Sequence, residues 1–223
     1  MARFDRLTVY RHILESGLVP LFYHANENVS HKVAAAIANG GARVLEFTNR
    51  GDKAMDVYKS LNVYCEEHHP ELILGVGSVL DAPTAAIYIG AGANFIVAPI
   101  FDAETARLCN RKKIPYMPGC GSVTEITRAE EWGVEIVKIF PGSQVGGPGF
   151  IKAVRGPMPW TRLMPTGGVD ATKESIESWI KAGACAVGMG SKLVSKELLA
   201  ENNYDGIRDK VKASLQWIQE ARE

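Results

Sequence analysis

Short β-rich runs alternate with helix-like stretches along almost the whole chain, and this alternation constrains the fold more than any single motif. Strand candidates are Leu18 to Tyr23, Arg43 to Thr48, Leu72 to Gly77, Phe95 to Ala98, Pro115 to Pro118, Ile136 to Phe140, Arg162 to Pro165 and Ala186 to Met189. Between them lie helical patterns such as Val29 to Asn39, Lys53 to His68 and Lys173 to Ala182, and the segment from Tyr204 onward closes the chain. Each helical crossover returns the chain to the same end of the sheet, so the strands are parallel. An open doubly wound sheet would have five or six strands and a glycine-rich turn after the first, and no GxGxxG follows Leu18 to Tyr23. Eight strands in 223 residues suit a (β/α)8 barrel of the TIM type, preceded by an extra N-terminal helix from about Phe4 to Ser16 that Gly17 ends. One barrel domain spanning residues 1–223 is expected, because no proline-rich, serine-rich or low-complexity linker interrupts the pattern. Three phrases, at 38–44, 89–95 and 181–187, each run from a helix end through glycine into a new strand, which predicts a repeated αβ turn at one end of the barrel.

Charge narrows the function. Lys+Arg and Asp+Glu both total 25, so no overall field draws in nucleic acid or an anionic membrane, and any anion site is local. Residues Met1 to Tyr10 carry Arg3, Asp5 and Arg6 where a signal peptide needs an apolar core, and no apolar run is long enough to span a bilayer. The four cysteines are scattered without CxxC spacing, so reduced thiols are expected rather than a metal site or a disulfide framework. A cytoplasmic protein is expected.

In a barrel, chemistry gathers at the C-terminal ends of the strands. The sixth strand reads Val134-Glu135-Ile136-Val137-Lys138-Ile139-Phe140-Pro141, and period-two alternation puts Ile136, Lys138 and Phe140 on one face. If that face is interior, loss of water lowers the amine pKa and leaves a nucleophile able to form a Schiff base. The alternative is an amine extended to solvent or paired with a carboxylate. On the second strand Val44, Glu46 and Thr48 share a face, and a carboxylate there is either a proton carrier with a raised pKa or half of a buried salt bridge to Lys138. Arg50, just beyond that strand, can clamp a carboxylate through two parallel hydrogen bonds, or lie free on the surface. Gly75-Val76-Gly77-Ser78 offers glycines that admit a substrate close to the backbone, and a hydroxyl. The glycine-rich ends of strands seven and eight, Thr166-Gly167-Gly168 and Gly190-Ser191, fit a phosphate held by backbone N–H groups and a helix N-terminus; two tight turns are the alternative.

The chain resembles the KDPG/KHG aldolase family through Val44-Leu45-Glu46-Phe47-Thr48, Gly75-Val76-Gly77-Ser78-Val79, Val137-Lys138-Ile139-Phe140-Pro141 and Pro165-Thr166-Gly167-Gly168-Val169. The resemblance implies a class I aldolase that cleaves a 4-hydroxy-2-keto acid to pyruvate and an aldehyde. Lys138 would be the Schiff-base lysine and Glu46 the general acid/base. Arg50 and Ser78, where the family often has threonine, would bind the keto-acid carboxylate, and Pro99 and Phe140 would shape the pocket. Thr166, Gly167, Gly168 and Ser191 would take a substrate phosphate. It also implies no metal, no organic cofactor and a homotrimer. The chain departs from common family forms at Tyr23-His24-Ala25-Asn26, where many relatives carry arginine, at Ile100-Phe101, and in the loop after Phe140, which lacks a frequent glutamate. Two rivals stay open: another phosphate-binding barrel isomerase or decarboxylase, whose paired aspartates, metal-binding histidines or Asp-x-Lys-x-x-Asp are absent, and a non-catalytic barrel that binds a phosphorylated sugar acid.

Overall fold

In the computed structural model, which describes residues 2–223, helices and strands alternate from end to end. Helix α1 (Arg6–Ser16) precedes β1 (Leu18–Phe22), and α2 (Glu27–Asn39), β2 (Val44–Thr48), α3 (Ala54–His68), β3 (Ile73–Gly77), α4 (Ala82–Gly90), β4 (Ile96–Val97) and α5 (Ala103–Lys112) follow. Next come β5 (Tyr116–Met117), β6 (Gly119–Cys120), α6 (Val123–Glu131), β7 (Val137–Ile139), α7 (Gly147–Arg155), β8 (Leu163–Pro165), α8 (Lys173–Lys181), β9 (Val187–Met189), α9 (Lys196–Ala200) and α10 (Tyr204–Arg222).

All the pairings are parallel, and they form two sheets, ordered β5-β4-β3-β2-β1-β9 and β6-β7-β8. A bridge between Thr166 and Gly188 links the end of β8 to β9. The fifth expected strand, Pro115 to Pro118, is instead two short segments on either side of Pro118, one in each sheet. Proline has no N–H to donate to a ladder, so the pairing changes where it stands.

Alternation along the strands sorts the core into two. Leu18, Phe22, Leu45, Phe47, Leu74, Val76, Val137 and Ile139 pack with the surrounding helices. The opposite faces contribute Val19, Val44, Ile73, Val97, Met117, Ile136 and Met164 to a second cluster, which Val9, Tyr10 and Ile13 of α1 join. The N-terminal helix therefore covers the N-terminal ends of the strands. The three expected αβ turns are present, with Gly41, Gly92 and Gly183 at φ of 97°, 100° and 105°, values that favour glycine.

Eight helices begin after an Asp, Asn, Ser or Thr whose side chain accepts a hydrogen bond from the first turn (Asp5, Asn26, Asp81, Asp102, Ser122, Thr172, Ser195 and Asn203). Each such cap contributes about 1 kcal/mol. Among the described residues, α3 and α7 alone start without one. These two helices follow β2 and β7, the strands that carry Glu46 and Lys138.

Candidate active site

Glu46 lies two residues beyond inward-facing Val44, and Lys138 two residues beyond inward-facing Ile136, so both side chains enter the interior just above the inner apolar cluster. Glu46 is 2% exposed and Lys138 6% exposed, which excludes an amine extended into solvent. Among the described residues no carboxylate comes within 4.0 Å of the amine, so the buried salt bridge is not formed either. The two groups still feel each other. Burial raises the Glu46 carboxyl above its ordinary range, and Lys138 and then Arg50 oppose that rise. Burial lowers the Lys138 amine, Glu46 opposes the fall, and Arg50 adds to it. Desolvation dominates in both cases and moves both groups toward their neutral forms.

Glycines and an aromatic ring shape the space around this couple. A Cβ on Gly77 would stand 1.6 Å from Glu46 Oε1, and one on Gly75 would stand 2.4 Å from the Phe95 ring. These two glycines make room for protein side chains, whereas the sequence suggested room for a substrate. Gly119, in register with Lys138, is similarly constrained, because a Cβ there would lie 2.2 Å from the Pro99 carbonyl oxygen. Lys138 Nζ sits 4.8 Å from the centre of the Phe140 ring, a face that favours a cation whenever the nitrogen is charged. Pro99, Gly119 and Phe140 also line a cavity of about 350 Å³.

At the rim, Arg50 donates from Nε to Ser78 Oγ at 3.4 Å, and among the described residues no carboxylate pairs with its guanidinium. The loop before it is fixed, since Asn49 N–H donates to the Gly77 carbonyl at 2.8 Å and Tyr88 Oη donates to Asn49 Oδ1 at 2.8 Å. Ser78 has φ of 60°, a left-handed backbone that a non-glycine residue adopts only when its surroundings impose it. His24, after β1, accepts from the Asn26 N–H through Nδ1 at 3.1 Å.

The third group of candidates lies at the ends of β8 and β9. Gly167 and Gly168 have φ of 87° and 85°. Gly168 packs so closely on Ser143 that a Cβ would lie 2.4 Å from that residue's Cβ. Among the described residues, the N–H groups of Gly168, Ser191 and Lys192 donate to no acceptor, while the Gly167 N–H lies in the bridge between Thr166 and Gly188. Thr166 Oγ1 is buried and has no hydrogen-bond partner. Helix α9 begins only at Lys196, so the free donors near Ser191 belong to a turn and not to a helix N-terminus as expected. Sequence reasoning did not single out Asn49, Gly119, Asp170 or Lys192. Glycine within a strand was the available signal for Gly119, and none existed for the Asp170–Lys192 ion pair across these two turns.

Arg50, Ser78, Glu46, Lys138, Pro99 and Phe140 thus belong to one neighbourhood, with Thr166, Gly167, Gly168 and Ser191 at neighbouring strand ends. Among the described residues no group of three or more His, Cys, Asp or Glu side chains is arranged to hold a metal ion.

The sequence profile of KDPG and KHG aldolases matches residues 9–210. The chain is similar to the 2-dehydro-3-deoxy-phosphogluconate aldolase of Haemophilus influenzae, 31% identical over 86% of this chain and 88% of the relative. It is equally similar to the KHG/KDPG aldolase of Escherichia coli, 31% identical over 87% and 89% of the two chains. In three dimensions it resembles the crystal structure of a KDPG aldolase from Legionella pneumophila with pyruvate captured at low pH as a covalent carbinolamine intermediate. There the TM-score is 0.81 at 27% identity, over 91% of this chain and 95% of that one. The profile match and these relatives agree, and the chain belongs to the KDPG and KHG aldolase family.

Proposed function

We propose that this protein is a class I aldolase that cleaves a 4-hydroxy-2-keto acid, with 2-keto-3-deoxy-6-phosphogluconate or a close relative as substrate and pyruvate and glyceraldehyde 3-phosphate as products. The observation that carries the reading is a buried, unpaired Lys138 amine beside a buried Glu46. A protein that only bound a sugar acid would have no use for such an amine, since it costs stability.

The protonation states favoured by burial supply the first step. Neutral Lys138 attacks the C2 ketone, and neutral Glu46 protonates the departing hydroxyl, which leaves as water. An iminium and a Glu46 carboxylate result. The carboxylate takes the proton of the C4 hydroxyl, the C3–C4 bond breaks, and its electron pair moves through the iminium to form an enamine as the aldehyde departs. Glu46 returns the proton to C3, and water releases pyruvate from Lys138. Arg50 and Ser78 hold the keto-acid carboxylate, Pro99 and Phe140 bound the reacting carbons, and the donors of Thr166, Gly167, Gly168 and Ser191 receive the phosphate. No organic cofactor enters this scheme.

Several readings of architecture accompany this one. The chain is a single domain, 1–223, in which the two sheets are parts of one (β/α)8 barrel: β5 and β6 are one strand broken at Pro118, the Thr166–Gly188 bridge joins the other edges, and α1 plugs the base. Exposed Leu80, Val123 and Ile100, the last of which lines the Pro99–Phe140 cavity, suit contact with further copies of the chain, and the homotrimer is what the family resemblance implies. No helix of the described residues is long and apolar enough to cross a membrane, and four free cysteines suit the reducing cytoplasm. Borohydride treatment in the presence of pyruvate tests the chemistry. A pyruvate-sized mass gain on Lys138 is expected, and its absence at neutral pH favours the non-catalytic binder.

A further inference from the structure

The turns after β8 and β9 meet in an ion pair. Lys192 Nζ lies 3.1 Å from Asp170 Oδ1, with side-chain exposures of 65% and 49%. Lys192 immediately follows Ser191, and Asp170 stands two residues beyond Gly168. The pair therefore spans the turns whose N–H groups, at Gly168, Ser191 and Lys192, find no acceptor among the described residues. Both backbones are pinned: Asp170 N–H donates to Ser175 Oγ at 3.0 Å, and Lys210 Nζ donates to the Lys192 carbonyl at 3.3 Å. Only the side chains are free to exchange partners.

We infer that Lys192 is a charge-reading specificity residue for the distal anionic group of the substrate, and that Asp170 holds it in reserve while the subsite is empty. A solvated ion pair on the surface contributes little, so opening it costs little. A phosphate dianion seated on the free N–H groups would present several acceptor oxygens and more charge than a single carboxylate, and would draw the ammonium across. Asp170 then acts twice against anions, by occupying Lys192 and by its own negative charge. An uncharged distal end offers Lys192 nothing, so the pair stays closed and discrimination against unphosphorylated substrates follows. This inference rests on the aldolase reading for the identity of the substrate, but the subsite itself does not depend on Lys138 chemistry.

The test compares Lys192→Met, Lys192→Arg, Asp170→Asn and the Asp170→Asn/Lys192→Met double variant in two measurements. First, inorganic phosphate is titrated against each protein by calorimetry. Lys192→Met is expected to weaken binding roughly tenfold, Asp170→Asn to tighten it several-fold, and Lys192→Arg to restore most of the loss. Second, the ratio of kcat/KM for a phosphorylated over an unphosphorylated 4-hydroxy-2-keto acid should fall about tenfold in Lys192→Met and rise in Asp170→Asn. In the Lys192→Met background, Asp170→Asn should keep only the part of its effect that comes from removing its own negative charge. Equal phosphate affinity in all four variants and the parent overturns the inference. An Asp170→Asn gain that persists fully without Lys192 overturns the reserve role. Failure of pyruvate trapping on Lys138 in the parent, with the phosphate pattern intact, would count against the aldolase reading and leave this subsite standing.

Discussion

Two of the lysine–carboxylate couples in this molecule lie on strands or just beyond strand ends, and they are built on opposite principles. Glu46 and Lys138 are buried and make no ion pair; Asp170 and Lys192 are half-exposed and in contact at 3.1 Å. Water stabilises the outer charges whether or not they touch, so that contact is cheap to make and to break. Inside, burial takes solvation away and contact is withheld, so both groups are driven toward neutrality. In the proposed mechanism, burial without pairing prepares a nucleophile and an acid, while in the proposed subsite pairing without burial prepares an electrostatic contact that can be exchanged.

The comparison breaks first if the inner lysine proves structural. Lys138→Met should abolish pyruvate trapping and lower turnover by on the order of 10⁴-fold or more, as removal of a covalent nucleophile does. The same variant should be more stable at neutral pH by about 1–2 kcal/mol, because an apolar side chain of similar volume replaces a desolvated amine. The folded-state pKa of Lys138 lies below the ordinary 10.5, so the stability cost of the lysine is full below that depressed value and fades as pH rises to 10.5. The difference in Tm between variant and parent should therefore shrink toward alkaline pH. A variant less stable than the parent at neutral pH would mean that the amine is held by interactions the geometry does not contain.

Glu46→Gln sharpens the division of labour. It should keep at least part of the pyruvate adduct but slow exchange of the pyruvate methyl protons, with turnover reduced by about 10³-fold. Its folded pKa is raised above the ordinary 4.5, so the cost of Glu46 is absent below 4.5 and full above the raised value. Glutamine should accordingly stabilise the protein at neutral pH and not in acid. Unchanged proton exchange would remove Glu46 from the mechanism. Gly77→Ala comes next: its Cβ would overlap Glu46 Oε1 at 1.6 Å, and moving the carboxylate by about 1 Å is expected to cost about 10²-fold in turnover. Retention of parental rates would mean that the position of Glu46 is loosely determined.

Much of this site was legible in the sequence because period two is a strong constraint. Once Val44 and Ile136 face inward, Glu46 and Lys138 must follow. The longer strands could be read the same way, but β4, β5 and β6 are two residues each, too short for a pattern, and the change of sheet at Pro118 depends on which neighbours are within reach. Gly75 and Gly77 looked like open backbone in the sequence, and only the cross-strand register shows that Phe95 and Glu46 fill their space. The Asp170–Lys192 contact was unreadable for a similar reason, since it joins residues 22 positions apart through two turns whose relative placement is tertiary. The missing side-chain caps on α3 and α7 point the same way: the loops after Glu46 and Lys138 give up a local stabilising device that eight other helices keep, as functional loops do.

The smallest expected effect lies at the rim. Ser78 holds φ of 60°, which costs a residue with a Cβ about 1–2 kcal/mol relative to glycine, while its hydroxyl steadies Arg50 at 3.4 Å. Ser78→Gly removes the strain and the hydroxyl together. It is expected to raise stability by about 1 kcal/mol and to raise KM for pyruvate in the exchange reaction only about threefold, since a long, exposed hydrogen bond contributes about 0.5 kcal/mol. Thermal unfolding and proton exchange on one sample would read both. If stability rose while KM stayed at the parental value, Arg50 would hold its carboxylate unaided, and the rim would need only an unpaired guanidinium where the interior needs a glycine-bounded carboxylate.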